Sequence, residues 1–328
     1  FYGYKIERLE STYSLLDKIN IINIFDKSKL NPDVLVQLKS EASSAAIGID
    51  KFVYIKLDDG DTTAINIINS EIEWNYKGRN VALSIKGSGA IAHYSSNVYI
   101  PRDDGNIISL KYDTGKLNWL ASISPRSGRN ELESLRDIEM TPIINDGSLF
   151  VGSYQGNLVS LDIFTGDLIW TRSMSVLSNM SIDDSNLYVA DNSSNIYAID
   201  NSGAVKSGFP FTSTNRFNSP PTLVDIDSDG DLEIVAGNDS GLLHILHHDG
   251  SEMASFNTGD DIRGGISVSD INDDGSYEIL FTGYDDFLHV WDPILGQEAQ
   301  GWPIDLGTNS LSEPVTADLD NDGDLEII

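Results

Sequence analysis

Along most of the chain the apolar residues come in short runs: "NVYI" from Asn97, "SLFVGS" from Ser148, "NLYVA" from Asn186, "EIVAG" from Glu233 and "EILFTG" from Glu278. Runs this short, bounded by Gly, Asn, Asp and Ser, predict β-strands rather than helices. Each is followed by a turn and a further apolar run. A Thr-Gly or Asp-Gly hairpin signal and a last strand come next. One more strand precedes each set, as in "MTPII" from Met140 and "PPTLVDI" from Pro220.

The sets repeat in one register. "DDGNIISLKYDTGKLNW" from Asp103, "YQGNLVSLDIFTGDLIW" from Tyr154, "NSSNIYAIDNSGAV" from Asn192, "DSGLLHILHHDGSEM" from Asp239 and "DDFLHVWDPILGQ" from Asp285 can be set beneath one another. A more worn copy, "TTAINIINSEIEW", ends at Trp74, and Trp119 and Trp170 close the two copies that follow. Four antiparallel strands in roughly 40–50 residues is the period of a β-propeller blade. The expected fold is therefore an all-β propeller, with blades at 38–78, 79–122, 138–174, 177–211, 219–258 and 263–303 and a seventh beginning at Ser312. An intact ring would hold about seven or eight blades. Residues 38–328 are expected to form one mixed propeller. Residues 1–37 fit no copy, and "YKIERLESTYSLLDKIN" reads as a short helix or a divergent strand pair.

In the strand after the turn, Ile108, Val159, Tyr197, His244 and His289 share one position, and small or apolar residues occupy the next. Both faces are thus apolar, as in a strand packed between two neighbouring sheets. His244 and His289 are accordingly expected to be packed blade residues rather than metal ligands or catalysts.

Composition narrows the function. The chain has 328 residues, 40% of them hydrophobic, which supports a real core. No run approaches the ~18 apolar residues of a membrane-spanning helix. A formal charge of −30 disfavours nucleic acid and anionic lipid as partners. The absence of cysteine removes disulfides, thiolate zinc sites, c-type haem attachment and cysteine nucleophiles. No nucleotide-binding loop, serine-triad signature or zinc-protease helix appears, so catalysis is not expected. The chain opens on Phe1 rather than Met and closes inside an apolar run, and it reads as a piece of a longer protein.

The acidic residues are densest in three loops, "DIDSDGDLEI" from Asp225, "DINDDGSYEI" from Asp270 and "DLDNDGDLEI" from Asp318. That density of carboxylate in one turn calls for a cation. An EF-hand would need a Glu at position 12, where Ala236 and Phe281 stand, and helices on either side. Instead each loop has Glu at position 9 and strand-like flanks. The pattern resembles the calcium loops of FG-GAP/VCBS (integrin-type) propeller repeats. In such a loop side-chain oxygens at 1, 3, 5 and 9 and a carbonyl at 7 surround the ion, and Gly at 6 permits the turn. The resemblance nominates Asp225, Asp227, Asp229, Asp231 and Glu233; Asp270, Asn272, Asp274, Ser276 and Glu278; and Asp318, Asp320, Asp322, Asp324 and Glu326. The bound Ca²⁺ would be structural, at a turn between the first and second strands of a blade.

The first half resembles a second family. "DTGKLNW" and "FTGDLIW" look like the blade endings of PQQ-like propellers, and Gly128 to Trp170 is similar to the corresponding stretch of the BamB family of propeller lipoproteins. "LSIKGSGA" from Leu83 resembles a loop of that family, with Lys86 in place of an Arg, and the two side chains are not equivalent in forked contacts. The likeness implies a face that meets an outer-membrane β-barrel assembly protein, formed here by Leu83, Ile85, Lys86, Asp137 and Glu139. The BamB-like blades would cover 38–211 and the calcium-loop blades 212–328. A quinoprotein dehydrogenase would share the blade motif, but the adjacent cysteine pair of that family is missing, so no PQQ is expected. The two likenesses together imply a non-catalytic, extracytoplasmic interaction propeller, in the periplasm or at the outer membrane. A secreted or cell-surface calcium-dependent adhesion or glycan-binding propeller is the alternative.

Overall fold

The computed structural model describes residues 4–8, 21–26, 34–78, 89–124, 137–320 and 322–328. Among the described residues there is no helix; every regular element is a strand in an antiparallel pair. The chain divides into two compact units, Phe1–Ser175 and Val176–Ile328.

In the first unit Tyr4–Arg8, Ile21–Asp26 and Val34–Gln37 form a three-stranded antiparallel sheet. Where the sequence left a helix open for 1–37, the described residues are strands. The β-branched "IINIF" and "VLV" favour extended backbone. Val36 and Leu38 then pack with Val53, Ile55, Leu57 and Ile65 of the first blade. Three four-stranded meanders follow. Blade 1 comprises Ile47–Ile49, Phe52–Lys56, Thr62–Asn66 and Glu71–Tyr76. Blade 2 comprises Ala92–Tyr94, Asn97–Pro101, Asn106–Lys111 and Leu117–Ser122. Blade 3 comprises Ile143–Asn145, Ser148–Gly152, Asn157–Asp162 and Leu168–Ser173.

The second unit repeats the plan. Blade 4 comprises Ser181–Ile182, Asn186–Ala190, Asn195–Asp200 and Phe211–Thr212. Blade 5 comprises Thr222–Val224, Glu233–Gly237, Leu242–Leu246 and Glu252–Asn257. Blade 6 comprises Ser267–Ser269, Glu278–Thr282 and Phe287–Asp292, with Gln297–Glu298 and Ile304–Asp305 both paired to the third strand. Thr316–Ala317 pairs with Glu326–Ile327 as the start of a seventh.

Burial explains the strand patterns. The second strands of blades 1, 2, 5 and 6 are buried at every residue, because each sheet is covered on both faces. The fourth strands are edges and alternate, with Trp74 and Trp119 turned inward from exposed neighbours. The register between third and fourth strands shifts at the same place in blades 1, 2, 3 and 5, just before Ile65, Leu110, Leu161 and Leu246. A bulge there adds local twist to each blade.

Successive blades of the first unit are joined by a repeated contact that accounts for the Thr-Gly-x-x-x-Trp ending. Trp74 Nε1 donates to the Tyr112 carbonyl of blade 2 at 3.0 Å, and Tyr54 Oη donates to the same oxygen at 2.8 Å. One blade on, Trp119 Nε1 and Tyr99 Oη both donate to the Ile163 carbonyl, each at 3.2 Å. The indoles lie against Gly115 and Gly166 of the Thr-Gly turns, where a Cβ would come within 2.7 Å of Trp74 and 2.6 Å of Trp119. Both glycines have positive φ, 64° and 75°. Glycine is required twice over, for the backbone and for the neighbouring ring.

Candidate functional site: the acidic loops

The three acidic loops join first to second strands: Val224 to Glu233 in blade 5, Ser269 to Glu278 in blade 6, and Ala317 to Glu326 in the partial seventh. Strand direction reverses at each turn, so within a blade these loops share an end with the third-to-fourth turns. The second-to-third turns and the connections between blades lie at the other end.

All three loops are built alike. The position-1 aspartates accept main-chain hydrogen bonds from the tip: Asp225 from Asp229 and Gly230 at 3.1 Å each, Asp270 from Asp274 and Gly275 at 3.1 and 2.9 Å, and Asp318 from Gly323 at 3.2 Å. The position-5 aspartates accept from the residue two further on, Asp231, Ser276 and Asp324, at 2.8–2.9 Å. Gly230, Gly275 and Gly323 have φ of 94°, 88° and 102°, a conformation that costs an L side chain dearly. The position-9 glutamates clasp the loop. Glu233 Oε2 accepts from Ile226 N at 3.0 Å, Glu278 Oε2 from Ile271 N at 2.9 Å, and Glu326 Oε2 from Leu319 N at 2.7 Å.

This architecture draws carboxylates together. In the first loop one oxygen from each of Asp225, Asp227 and Asp229 lies within 4.8 Å of the others, and in the third the same holds for Asp318, Asp320 and Glu326. Calcium takes oxygens at about 2.3–2.6 Å, so ligands on opposite sides of one ion stand about that far apart. The donor set therefore fits a hard divalent cation. The second loop is arranged differently. Asn272 Nδ2 donates to Glu278 Oε1 at 2.9 Å and ties the closing carboxylate to an amide.

Glu233 and Glu278 are fully buried. Burial pushes the Glu233 carboxyl up, with Asp227 and Asp229 adding to it against the Ile226 hydrogen bond. Burial does the same to Glu278, where Asp274, Asp270 and Asp292 are the neighbouring charges. A cation at these turns would relieve the cost of holding several carboxylates in low dielectric.

Other residues singled out in the sequence have clear places. His244 and His289 are buried in blades 5 and 6, as expected. His244 Nδ1 meets Glu252 Oε1 at 2.7 Å. His289 lies between Glu298 Oε1 at 2.6 Å and Asp285 Oδ2 at 2.7 Å, stacked on Phe281 with ring centres 4.8 Å apart. Burial alone would lower its pKa; the two carboxylates outweigh burial and raise it. Leu83, Ile85 and Lys86 lie outside the described residues. Asp137 is buried and Glu139 half-buried, and both lie in the field of Lys56. The Lys56 ammonium is itself buried, donates to the Gly89 carbonyl at 3.1 Å and has its pKa lowered chiefly by burial. The Asp137 side chain is thus not presented to a partner; it is one of the counter-charges of an internal lysine. Sequence reasoning passed over His247, whose Nδ1 stands 3.5 Å from Glu233 Oε1. The signal was the strand register, which pairs Ile234 with Leu246 and so sets Glu233 beside His247.

Sequential four-stranded meanders packed through a Trp–Gly contact define the blades of a β-propeller. The family model described as "Outer membrane protein assembly factor BamB" matches residues 35–205, more than half of the chain, and the chain belongs to that family. Among individual relatives of that name, the protein from Yersinia pestis is 27% identical over 64% of this chain and 52% of its own length. The one from Legionella pneumophila is 29% identical over 57% of this chain and 47% of its own. The chain therefore spans about half the length of the curated relatives it matches. The crystal structure of BamB from Moraxella catarrhalis superposes with a TM-score of 0.68 at 21% identity, covering 83% of this chain and 79% of that one. A europium-containing methanol dehydrogenase superposes at 0.57 with 12% identity, covering 84% and 81%. These likenesses concern the fold. The family match ends before the acidic loops, the first of which begins at Asp225.

Proposed function

We propose that the chain is a non-catalytic, extracytoplasmic interaction propeller of the BamB type, which serves outer-membrane protein assembly, and that its acidic loops hold structural calcium. The family match over 35–205 carries the first part, since it covers the blades between which the nominated partner loops lie. The second part rests on three loops with one hydrogen-bond plan and on carboxylate oxygens gathered within 4.8 Å in two of them. The repeats of blades 5 to 7 extend this reading to an FG-GAP/VCBS-like half fused in register to the BamB-like half. Calcium loops of low charge-cage rigidity saturate at about 10⁻⁴–10⁻³ M, concentrations found outside the cytoplasm. The placement fits a periplasmic or outer-membrane role.

The partner is taken to be a component of the outer-membrane β-barrel assembly machinery, bound at the blade end that carries the interblade connections. Leu83, Ile85 and Lys86 would supply the contact together with Glu139, while Asp137 is buried in the field of Lys56. The test is equilibrium binding of the purified chain to that component on a biosensor surface. A Leu83→Ala, Ile85→Ala double variant should bind at least about tenfold more weakly, the scale expected when two central apolar contacts are removed. Absence of binding by the unmodified chain, in calcium, would sink the assembly reading.

A further inference from the structure

Blade 5 differs from blade 6 at one position beside its acidic loop. The pairing of Ile234 with Leu246 brings the closing Glu233 next to His247, whereas the pairing of Ile279 with Trp291 brings Glu278 next to Asp292. In blade 5 one oxygen of Asp227, one of Glu233 and one ring nitrogen of His247 lie within 4.8 Å of one another. Glu233 is 0% exposed, and while its Oε2 accepts the Ile226 N–H, its Oε1 is buried with no hydrogen bond. That oxygen faces His247 Nδ1 at 3.5 Å. A buried carboxylate oxygen without a donor is costly, and a cation shared with the imidazole removes the cost.

We propose that Asp227, Glu233 and His247 form a mixed nitrogen–oxygen site for one imidazole-preferring divalent ion, zinc being the type, so that the first acidic loop, unlike the second and third, takes that metal in preference to calcium when both are present and holds calcium when calcium alone is offered. Calcium is a hard ion that takes oxygen ligands only, while imidazole nitrogen with carboxylate suits zinc and cobalt. Blade 6 offers Asp292 at the equivalent position and stays all-oxygen. Asp227 is exposed and the His247 side chain is 34% exposed, so an ion has a path from solvent to the buried Glu233 oxygen. His248 touches the same loop only at its rim, 3.4 Å from Asp231 Oδ2, and supplies the internal control. The inference rests on the loops being cation sites, as proposed above, and adds which ion the first one takes.

The test uses the full chain, stripped of metal and titrated with Co²⁺, whose visible d–d bands report nitrogen ligation, followed by competition with Zn²⁺. Calcium binding is measured in parallel by calorimetry. The unmodified chain should bind one Co²⁺ that one equivalent of Zn²⁺ displaces. His247→Gln should weaken Co²⁺ and Zn²⁺ at least about tenfold, in the range found when a metal's ligand environment is damaged. It should leave calcium binding intact, which also shows that the variant folds, and His248→Gln should behave as the unmodified chain. Equal Co²⁺ and Zn²⁺ affinity in the unmodified chain and His247→Gln overturns the proposal. If calcium binds normally in that case, only the choice of ion at the first loop is wrong. If neither calcium nor cobalt binds, the calcium reading falls with it.

Discussion

Calcium should raise the melting temperature of the second unit, and the size of the effect follows from where the loops lie. All three acidic loops belong to Val176–Ile328, and each closes a turn between two strands of one blade. With a weak site of about 10⁻⁴ M and about 1 mM calcium, one ion stabilises the folded state by RT ln 11, about 1.4 kcal/mol, and three by about 4 kcal/mol. A unit of this size, at about 2.1 cal/mol/K per residue, has an unfolding entropy near 0.3 kcal/mol/K, so three ions raise its melting point by about 13 °C. If the whole chain melts as one, the entropy doubles and the shift is about 6 °C. Scanning calorimetry with 1 mM calcium and then with chelator measures this directly. Asp227→Ala with Asp229→Ala should remove about a third of the shift by disabling the first loop's calcium cage, without abolishing the rest. Identical melting curves in calcium and chelator would refute the cation account and leave the loops as acidic hairpins stabilised only by their own hydrogen bonds.

Two further outcomes test the framework around the loops. Gly166→Ala should cost about 2–4 kcal/mol in urea unfolding, combining a left-handed backbone with a Cβ 2.6 Å from Trp119; a loss below about 0.5 kcal/mol would show that the Thr-Gly turn can move away from the indole. His289 has its pKa raised by Glu298 and Asp285 despite burial, so its contribution to stability is complete below the unfolded value of about 6.5 and fades as pH rises through the folded one. His289→Gln should therefore lose about 1–3 kcal/mol more at pH 6 than at pH 9, whereas an equal loss at both would mean that the ring is neutral between its two carboxylates.

The local grammar of this protein was legible in its sequence. Short apolar runs between turn residues, one register over six copies and the closing tryptophans specified four-stranded blades, because strand period, turn chemistry and edge alternation are encoded within a few residues. The position-1, 3, 5, 6 and 9 pattern likewise specified the acidic turns. It did not reveal what position 9 does when folded, which is to clasp the position-2 N–H, in blades 5 and 6 from a fully buried site. Other features required strands distant in sequence to meet. The "IINIF" segment could be placed in a sheet only once its pairing partners were known. Asp137 read as a partner-facing acid, whereas in the fold it is buried within the field of Lys56. His247 acquired meaning only from the register of two strands, which placed an imidazole against a carboxylate fourteen residues away in blade 5 and an Asp in the same place in blade 6. Side-chain types and their periodicity fix what each blade is, because those preferences are local. Which charges become buried, and what then faces them, is decided by packing, because desolvation acts only on groups that the fold has brought together.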